Sequence, residues 1–246
     1  MVSFDVVLPV GPNEIEIIED VIKLVKNNVL GYNKIYLLTH DETLNVDDCI
    51  TINEKIFPFN KEDIAKIVGQ SPRISWVYQQ LLKMYAVNVL PDCSENILIL
   101  DSDVFLIKPL NFMDDDKPIF TMGYERTMQY HLHSQRLHPS LVRFYDQYSG
   151  ISHHMLFNRI YMNQLFDLIE MYHNDSFFNV FLKSIDNSNI LDLKCSEYEI
   201  YFSFMCVYHP NSYIIRELKW DNVHYINDYV LENYDYASVP KYLGTR

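Results

Sequence analysis

Apolar positions along the chain switch repeatedly between runs and a helical period, which predicts alternating strands and helices. Phe4 to Leu8 is a short apolar run interrupted by Asp5 and stopped by Pro9-Val10-Gly11-Pro12-Asn13, the pattern of a buried strand followed by a loop. Asn13 is placed to cap a helix in which Ile17, Ile18, Val21, Ile22, Leu24 and Val25 fit a 3.6-residue period. Gly31 ends that helix and Lys34 to Thr39 reads as the next strand, giving an opening β-α-β unit with a right-handed crossover. After the polar stretch Asp41 to Asp48, a brief strand is expected at Cys49 to Ile52.

Ser71-Pro72 marks another helix start, and Trp76 to Val89 continues it until Pro91. Asn96 to Leu100 is a buried strand ending in Asp101-Ser102-Asp103. Pro118 to Gly123 and Ile151 to Phe157 are further strands, with a helix of about Leu137 to Tyr148 between them. Helices near Met162 to Tyr172, Phe177 to Ile185 and Glu197 to Met205 then alternate with strands near Tyr213 to Glu217 and Val223 to Ile226. With no repeat or linker in view, the pattern predicts one α/β domain over residues 1–246, built on a mostly parallel central sheet flanked by helices.

Composition narrows the function. The chain is 48% hydrophobic and 22% charged, enough for a sizeable core. A net charge of −13 argues against nucleic acid and anionic membranes as partners, since both ask for a basic face. It leaves a nucleotide ligand open, because a bound divalent cation reverses the local field. Cys49, Cys93, Cys195 and Cys206 form no Cys-x-x-Cys pair and fit reduced thiols in a cytoplasmic protein. The run Val2 to Val10 has no basic flank, and no stretch reaches the length of a membrane span, so no signal or anchor is expected.

The segment Ile97-Leu-Ile-Leu-Asp101-Ser102-Asp103 carries the most chemical information. On an extended chain, side chains two apart point the same way, so Asp101 and Asp103 can share one target. Two carboxylates at the C-terminal end of a strand make a hard-oxygen site suited to Mg²⁺ or Mn²⁺, at the edge where α/β sheets collect ligands. The same tripeptide also serves as a plain turn between two apolar strands.

This pattern resembles the Asp-x-Asp motif of GT-A glycosyltransferases, which also follows a hydrophobic strand. The chain looks closest to a family of short GT-A proteins with a Trp-x-x-Gln-Gln helix, here Trp76-Val-Tyr-Gln79-Gln80-Leu-Leu-Lys83. Ile151-Ser152-His153-His154-Met-Leu-Phe157 and Ser196-Glu197-Tyr198-Glu199 extend the resemblance. It implies a single Rossmann-like GT-A domain, with residues 1–107 holding a nucleotide-sugar and metal and residues 108–246 facing the acceptor. In that reading Asp103 binds the metal directly, and Asp101 touches the ribose or reaches the metal through water. His224 supplies a third ligand, with His209 as its competitor. Glu197 faces the acceptor hydroxyl as general base or orienting group, against its alternative role of capping a helix alongside Glu199. Arg73, Gln79 and Lys83 approach the nucleotide phosphates, and Ser102 lies in the donor site. Pro9, Val10 and Gly11 contact the nucleoside base. Small residues from Gly150 onward let the sugar approach the backbone, where His153 or His154 bonds its hydroxyls.

The donor implied is a nucleotide-sugar, a UDP-sugar first, and the acceptor a hydroxyl, as on a glycan. His131, His133 and His138 read as a looser cluster in a loop, either on the acceptor side or simply solvated. No Gly-x-Gly-x-x-Gly or Walker-type loop is present, which disfavours dinucleotide oxidation and P-loop chemistry. A nucleotidyltransferase, a catalytically silent nucleotide-sugar binding protein and, more weakly, a glycoside hydrolase remain as alternatives.

Overall fold

The computed structural model describes residues 4–241; the ends of the expected domain, 1–3 and 242–246, lie outside the described residues. The chain opens with β1 (Phe4–Pro9), α1 (Ile18–Asn28), the two-residue β2 (Val29–Leu30) and β3 (Tyr32–Thr39). It continues through β4 (Ile50–Asn53), α2 (Lys61–Val68), α3 (Ile74–Val89) and β5 (Asn96–Leu100). Four short strands follow: β6 (Val104–Leu106), β7 (Leu110–Asn111), β8 (Met113–Asp114) and β9 (Lys117–Thr121). Then come α4 (Met128–Leu137), β10 (His154–Asn158), α5 (Arg159–His173), α6 (Phe177–Lys183) and α7 (Glu197–Tyr208). The last described elements are β11 (Ile214–Arg216), β12 (Trp220–Asn222), α8 (Asp228–Asn233) and β13 (Tyr236–Ser238).

The central sheet has the order β10-β5-β1-β3-β4, parallel throughout except for β10. Strands β1, β5 and most of β10 and β3 are buried on both faces, which is why they read as apolar runs, while the edge strand β4 is only partly covered. Alternate residues divide between two cores. Val7, Tyr36, Leu38, Ile97, Ile99, Met155 and Phe157 face the core containing residues of α2, α3, α5, α6 and α7. Val6, Leu8, Leu37, Leu98, Leu100 and Leu156 face α1 and the small sheets on the other side. Asp5, the polar break in the first run, is fully buried, and its carboxylate accepts from the Lys34 and Ser94 backbone N–H groups at 3.1 and 2.6 Å.

From β1 the chain steps outward through β3 and β4, then returns to the other side of β1 as β5. The sheet therefore switches direction between β1 and β5, and the crevice beyond their C-terminal ends is where such sheets bind ligands.

Several expected elements differ. The first helix starts at Ile18 with no side-chain cap, because residues 12–17 form turns instead of continuing from Asn13. Of the helix expected over Leu137 to Tyr148, residues 138–148 are not helical: α4 precedes them and ends at Leu137, two residues before Pro139. His131 and His133 thus sit on a helix, with His133 fully buried and His138 at its C-cap. The expected strand at Val223 to Ile226 is irregular, and pairing with β13 falls on Trp220–Asn222. All four cysteines are free thiols. No helix among the described residues is long and apolar enough to cross a membrane.

Candidate active site

Asp101, Ser102 and Asp103 form a turn between β5 and β6, closed by the Val104 N–H donating to the Asp101 carbonyl at 3.2 Å. The two carboxylates reach one cleft through this turn, not through the alternation of an extended strand. Ser102 is buried beneath it and donates to the Pro9 carbonyl at 2.8 Å, tying the turn to the end of β1. Asp103 is held from the C-terminal side: Ser238 Oγ donates to its carboxylate at 3.2 Å and Val239 N–H to its carbonyl at 2.9 Å.

Lys83 lies at the centre. Its ammonium, 4% exposed, is 2.5 Å from Asp101 and 2.6 Å from Glu197, and 4.6 Å from the centre of the Tyr198 ring. Burial works against its charge, but the two carboxylates outweigh burial and raise its pKa. For Asp101 burial is likewise overcome, by Lys83 and His153, and its carboxyl is held well below the usual range. Glu197 goes the other way: burial, with the Asp101 charge added, raises its pKa despite Lys83. Tyr198 OH donates to Asp101 at 3.0 Å, and the Glu197 N–H donates to buried Gln80 at 3.1 Å. Glu197 therefore stands at the start of α7 with its carboxylate fixed by a helix-borne cation.

The turn, Lys83 and Glu197 open onto a cleft of about 840 Å³. Pro9, Val10, Gly11, Arg73, Gln79 and His153 line it as well, so most of the residues anticipated from sequence converge on one place. Lys83, expected to approach the nucleotide phosphates, lines the cleft with its charge already engaged by Asp101 and Glu197. Arg73 sits at the outer end, ten residues before Lys83 and so ~15 Å away along α3.

His153 has φ +63°, a left-handed backbone that costs a non-glycine residue about 1 kcal/mol. Its carbonyl accepts from the Asp101 N–H at 2.9 Å, its Nδ1 lies 3.4 Å from the Asp101 carboxylate, and its ring meets Trp220 edge-on. His154 points the opposite way and does not line the cleft. It is buried against Phe112 and Tyr236, with Nε2 2.9 Å from Thr121 Oγ1. Burial and the Arg216 charge keep it neutral, so it is a core residue and not a sugar contact.

Gly150, where the small residues before His154 begin, also differs from expectation. Gly150 packs against Phe202, where an added Cβ would come within 2.4 Å, and its N–H donates to Glu199. Glu199 also accepts from Arg143 Nε at 3.2 Å, which makes it a fastening between α7 and the 140s segment. His224 is exposed on a bend between β12 and α8 and does not line the cleft. His209 caps the far end of α7, its ring against Tyr161 and Phe204. Among the described residues, no three His, Cys, Asp or Glu side chains are gathered as a metal cage.

Residues without a sequence signal complete the cleft. Trp220 stacks on Tyr236 at 5.4 Å and backs His153; it is on a strand whose partner lies sixteen residues on. His40, Glu54, Lys61 and Tyr78 line the end beside Val10 and Leu38. Tyr130 and Glu125 reach it from the α4 side. Tyr198 lies within Ser196-Glu197-Tyr198-Glu199, but nothing in its spacing marks the hydroxyl as a partner of Asp101. In comparisons with known proteins, the chain matches no family model and no curated sequence.

Proposed function

We propose that the protein is a GT-A-type glycosyltransferase that moves a sugar from a nucleotide-sugar, a UDP-sugar first, to a hydroxyl acceptor. The observation that carries this reading is the Asp101-Ser102-Asp103 turn at the β1–β5 switch point, facing the same cleft as Glu197. Residues 1–107 provide the donor side and residues 108–246 the acceptor side.

A divalent cation fits this donor set in one mode. Mg²⁺ is commonly held by one or two carboxylates plus substrate phosphates, which does not require a third side chain such as His224. Asp103 would hold it, with Asp101 behind, since the Asp101 carboxylate already receives Lys83 and Tyr198. When bound, Mg²⁺ or Mn²⁺ stabilises charge on the departing diphosphate. Pro9, Val10 and Gly11, with Tyr78 across the cleft, offer backbone and a ring edge to the nucleoside. His153 presents its imidazole beside Asp101 for a donor hydroxyl.

Glu197 serves the acceptor. Lys83 keeps it ionised in a buried place, while burial raises its basicity toward that of a competent general base. In a displacement with inversion, the acceptor oxygen bonds the anomeric carbon, the bond to phosphate breaks and Glu197 takes the hydroxyl proton. With retention, Glu197 orients the hydroxyl only. A second reading, a nucleotide-sugar binding protein without transfer, draws on the engagement of Asp101 and Glu197 by Lys83.

Calorimetry with UDP, GDP and their sugar conjugates, with and without Mn²⁺, tests the donor site. Metal-dependent binding that disappears in Asp103→Ala supports it; no nucleotide binding by the folded wild type refutes it. Product formation with a hydroxyl acceptor separates transfer from binding alone.

A further inference from the structure

The outer end of the cleft has a chemistry that the donor site does not use. Arg73 stacks its guanidinium on Trp76 at 4.2 Å, and the Trp76 and Tyr130 rings lie 6.4 Å apart, tilted by 36°. All three line the cleft, together with the exposed Glu125. Arg73 Nε is buried without a partner, and its guanidinium makes no hydrogen bond or ion pair within the described residues. Arg73 is half-buried, so its guanidinium is reachable from the cleft while its Nε stands without a protein acceptor in a chain of net charge −13. Glu125 does not do so; its carboxylate is taken by Thr127, through both N–H and Oγ1. Behind the Tyr130 ring a second cation, Lys194, stands 5.8 Å from the centroid while paired with Asp192.

Two aromatic faces suit the apolar face of a pyranose ring, and a planar fork of N–H groups suits a carboxylate or phosphate oxygen. The position separates this end from the diphosphate. Arg73 and Trp76 precede Lys83 on α3 by ten and seven residues, and helix side chains lean toward the N-terminus, away from the Asp101 turn. Tyr130 comes from the acceptor side, with both Arg73 and Glu197 among the charges it feels.

We infer that Arg73, Trp76 and Tyr130 form an acceptor subsite for a sugar carrying an anionic substituent, its ring on the two aromatics and its negative group on the Arg73 guanidinium. This rests on the glycosyltransferase reading for the word acceptor, and on the cleft alone for the anionic sugar.

Ligand-observed NMR titration with methyl glucuronide, glucose 6-phosphate and neutral methyl glucoside tests it, on wild type, Arg73→Gln and Arg73→Lys. UDP with Mn²⁺ is titrated in parallel, and thermal melts check that each variant is folded. The expected result is roughly tenfold tighter binding of at least one acidic probe over the neutral one, the size of a charge-assisted hydrogen bond. Arg73→Gln removes that preference, Arg73→Lys keeps part of it, and UDP affinity stays put. The carboxylate and phosphate probes tell which anion is favoured. No acidic preference in the wild type overturns the subsite. Loss of UDP affinity in Arg73→Gln assigns the arginine to the donor diphosphate and overturns it too. If the acidic preference holds while the wild type binds no nucleotide, the donor reading fails and the acceptor role falls with it.

Discussion

Replacing Lys83 with methionine removes one positive charge from between two carboxylates while keeping most of the side-chain volume. The ammonium is 4% exposed, Glu197 5% and Asp101 20%. Deleting one member of so buried a pair costs about 3–5 kcal/mol, chiefly because the remaining charge is uncompensated. Here two like charges are left together, and one of them takes up a proton. Glu197 is that one, being the more buried, whereas Asp101 keeps the Tyr198 hydroxyl and His153. In the variant the folded-state pKa of Glu197 therefore lies further above its unfolded value than in the wild type. A raised carboxyl favours the folded state below the unfolded value, and that stability is lost as pH rises through the folded one. The penalty of Lys83→Met thus shrinks as pH is lowered from 8 to 5. Urea unfolding of both proteins at those two pH values measures it. A variant within ~1 kcal/mol of wild type at both, the worth of an exposed pair, would refute the coupling on which the Glu197 assignment depends.

Other substitutions probe the surrounding framework. Gly123→Ala places a Cβ 1.9 Å from the Ile151 carbonyl and is expected to cost at least about 1–3 kcal/mol in chemical denaturation. His153→Gly is expected to melt higher than His153→Ala by the equivalent of about 1 kcal/mol, since only glycine relieves the left-handed backbone. His133 is fully buried; burial lowers its pKa to about 4, the Phe181 carbonyl partly offsetting this and Arg136 adding to it. Its depressed value favours the folded state above about pH 6.5, and up to ~3 kcal/mol is lost as pH falls toward 4. His133→Gln should flatten that part of the stability profile.

The central strands were legible because burial on both faces leaves an unbroken apolar signature, as in Ile97 to Leu100. Helix α3 was legible from its length, and the Gln79–Lys83 spacing did place both residues on the cleft. The stretch after α4 misled for a physical reason. Leu137, Leu141, Tyr145 and Tyr148 recur at helical intervals, yet the backbone there is fixed by Pro139 and by the Gly123–Ser149 bridge. Tyr145 and Tyr148 pack on Phe202 of α7 from an irregular backbone, while Val142 and Phe144 stay exposed. The Met128–Leu137 helix was hidden because its own apolar stripe is thin, with Met128 and Leu132 exposed. In the site, residue types were readable but partners were not. Nothing local tells that Lys83 meets Glu197, 114 residues away, or that one of two adjacent histidines turns inward.

The Asp103 turn depends on residues that are made long after it. Its carboxylate and carbonyl are secured by Ser238 and Val239, some 135 positions downstream, on the segment that leads out of β13. At a synthesis rate of about 5–20 residues per second, roughly ten seconds separate the two on a ribosome. During that interval the parallel core of β1, β3, β4 and β5 has all its strands, and of the residues that line the cleft Ser238 and Pro240 are the last to be made. A nascent or clipped chain ending before Tyr236 would therefore keep those strands and leave the Asp103 turn without its Ser238 and Val239 bonds. Assembly of the central sheet and fastening of the Asp103 turn are then separable events, the second waiting for a strand that lies outside that sheet.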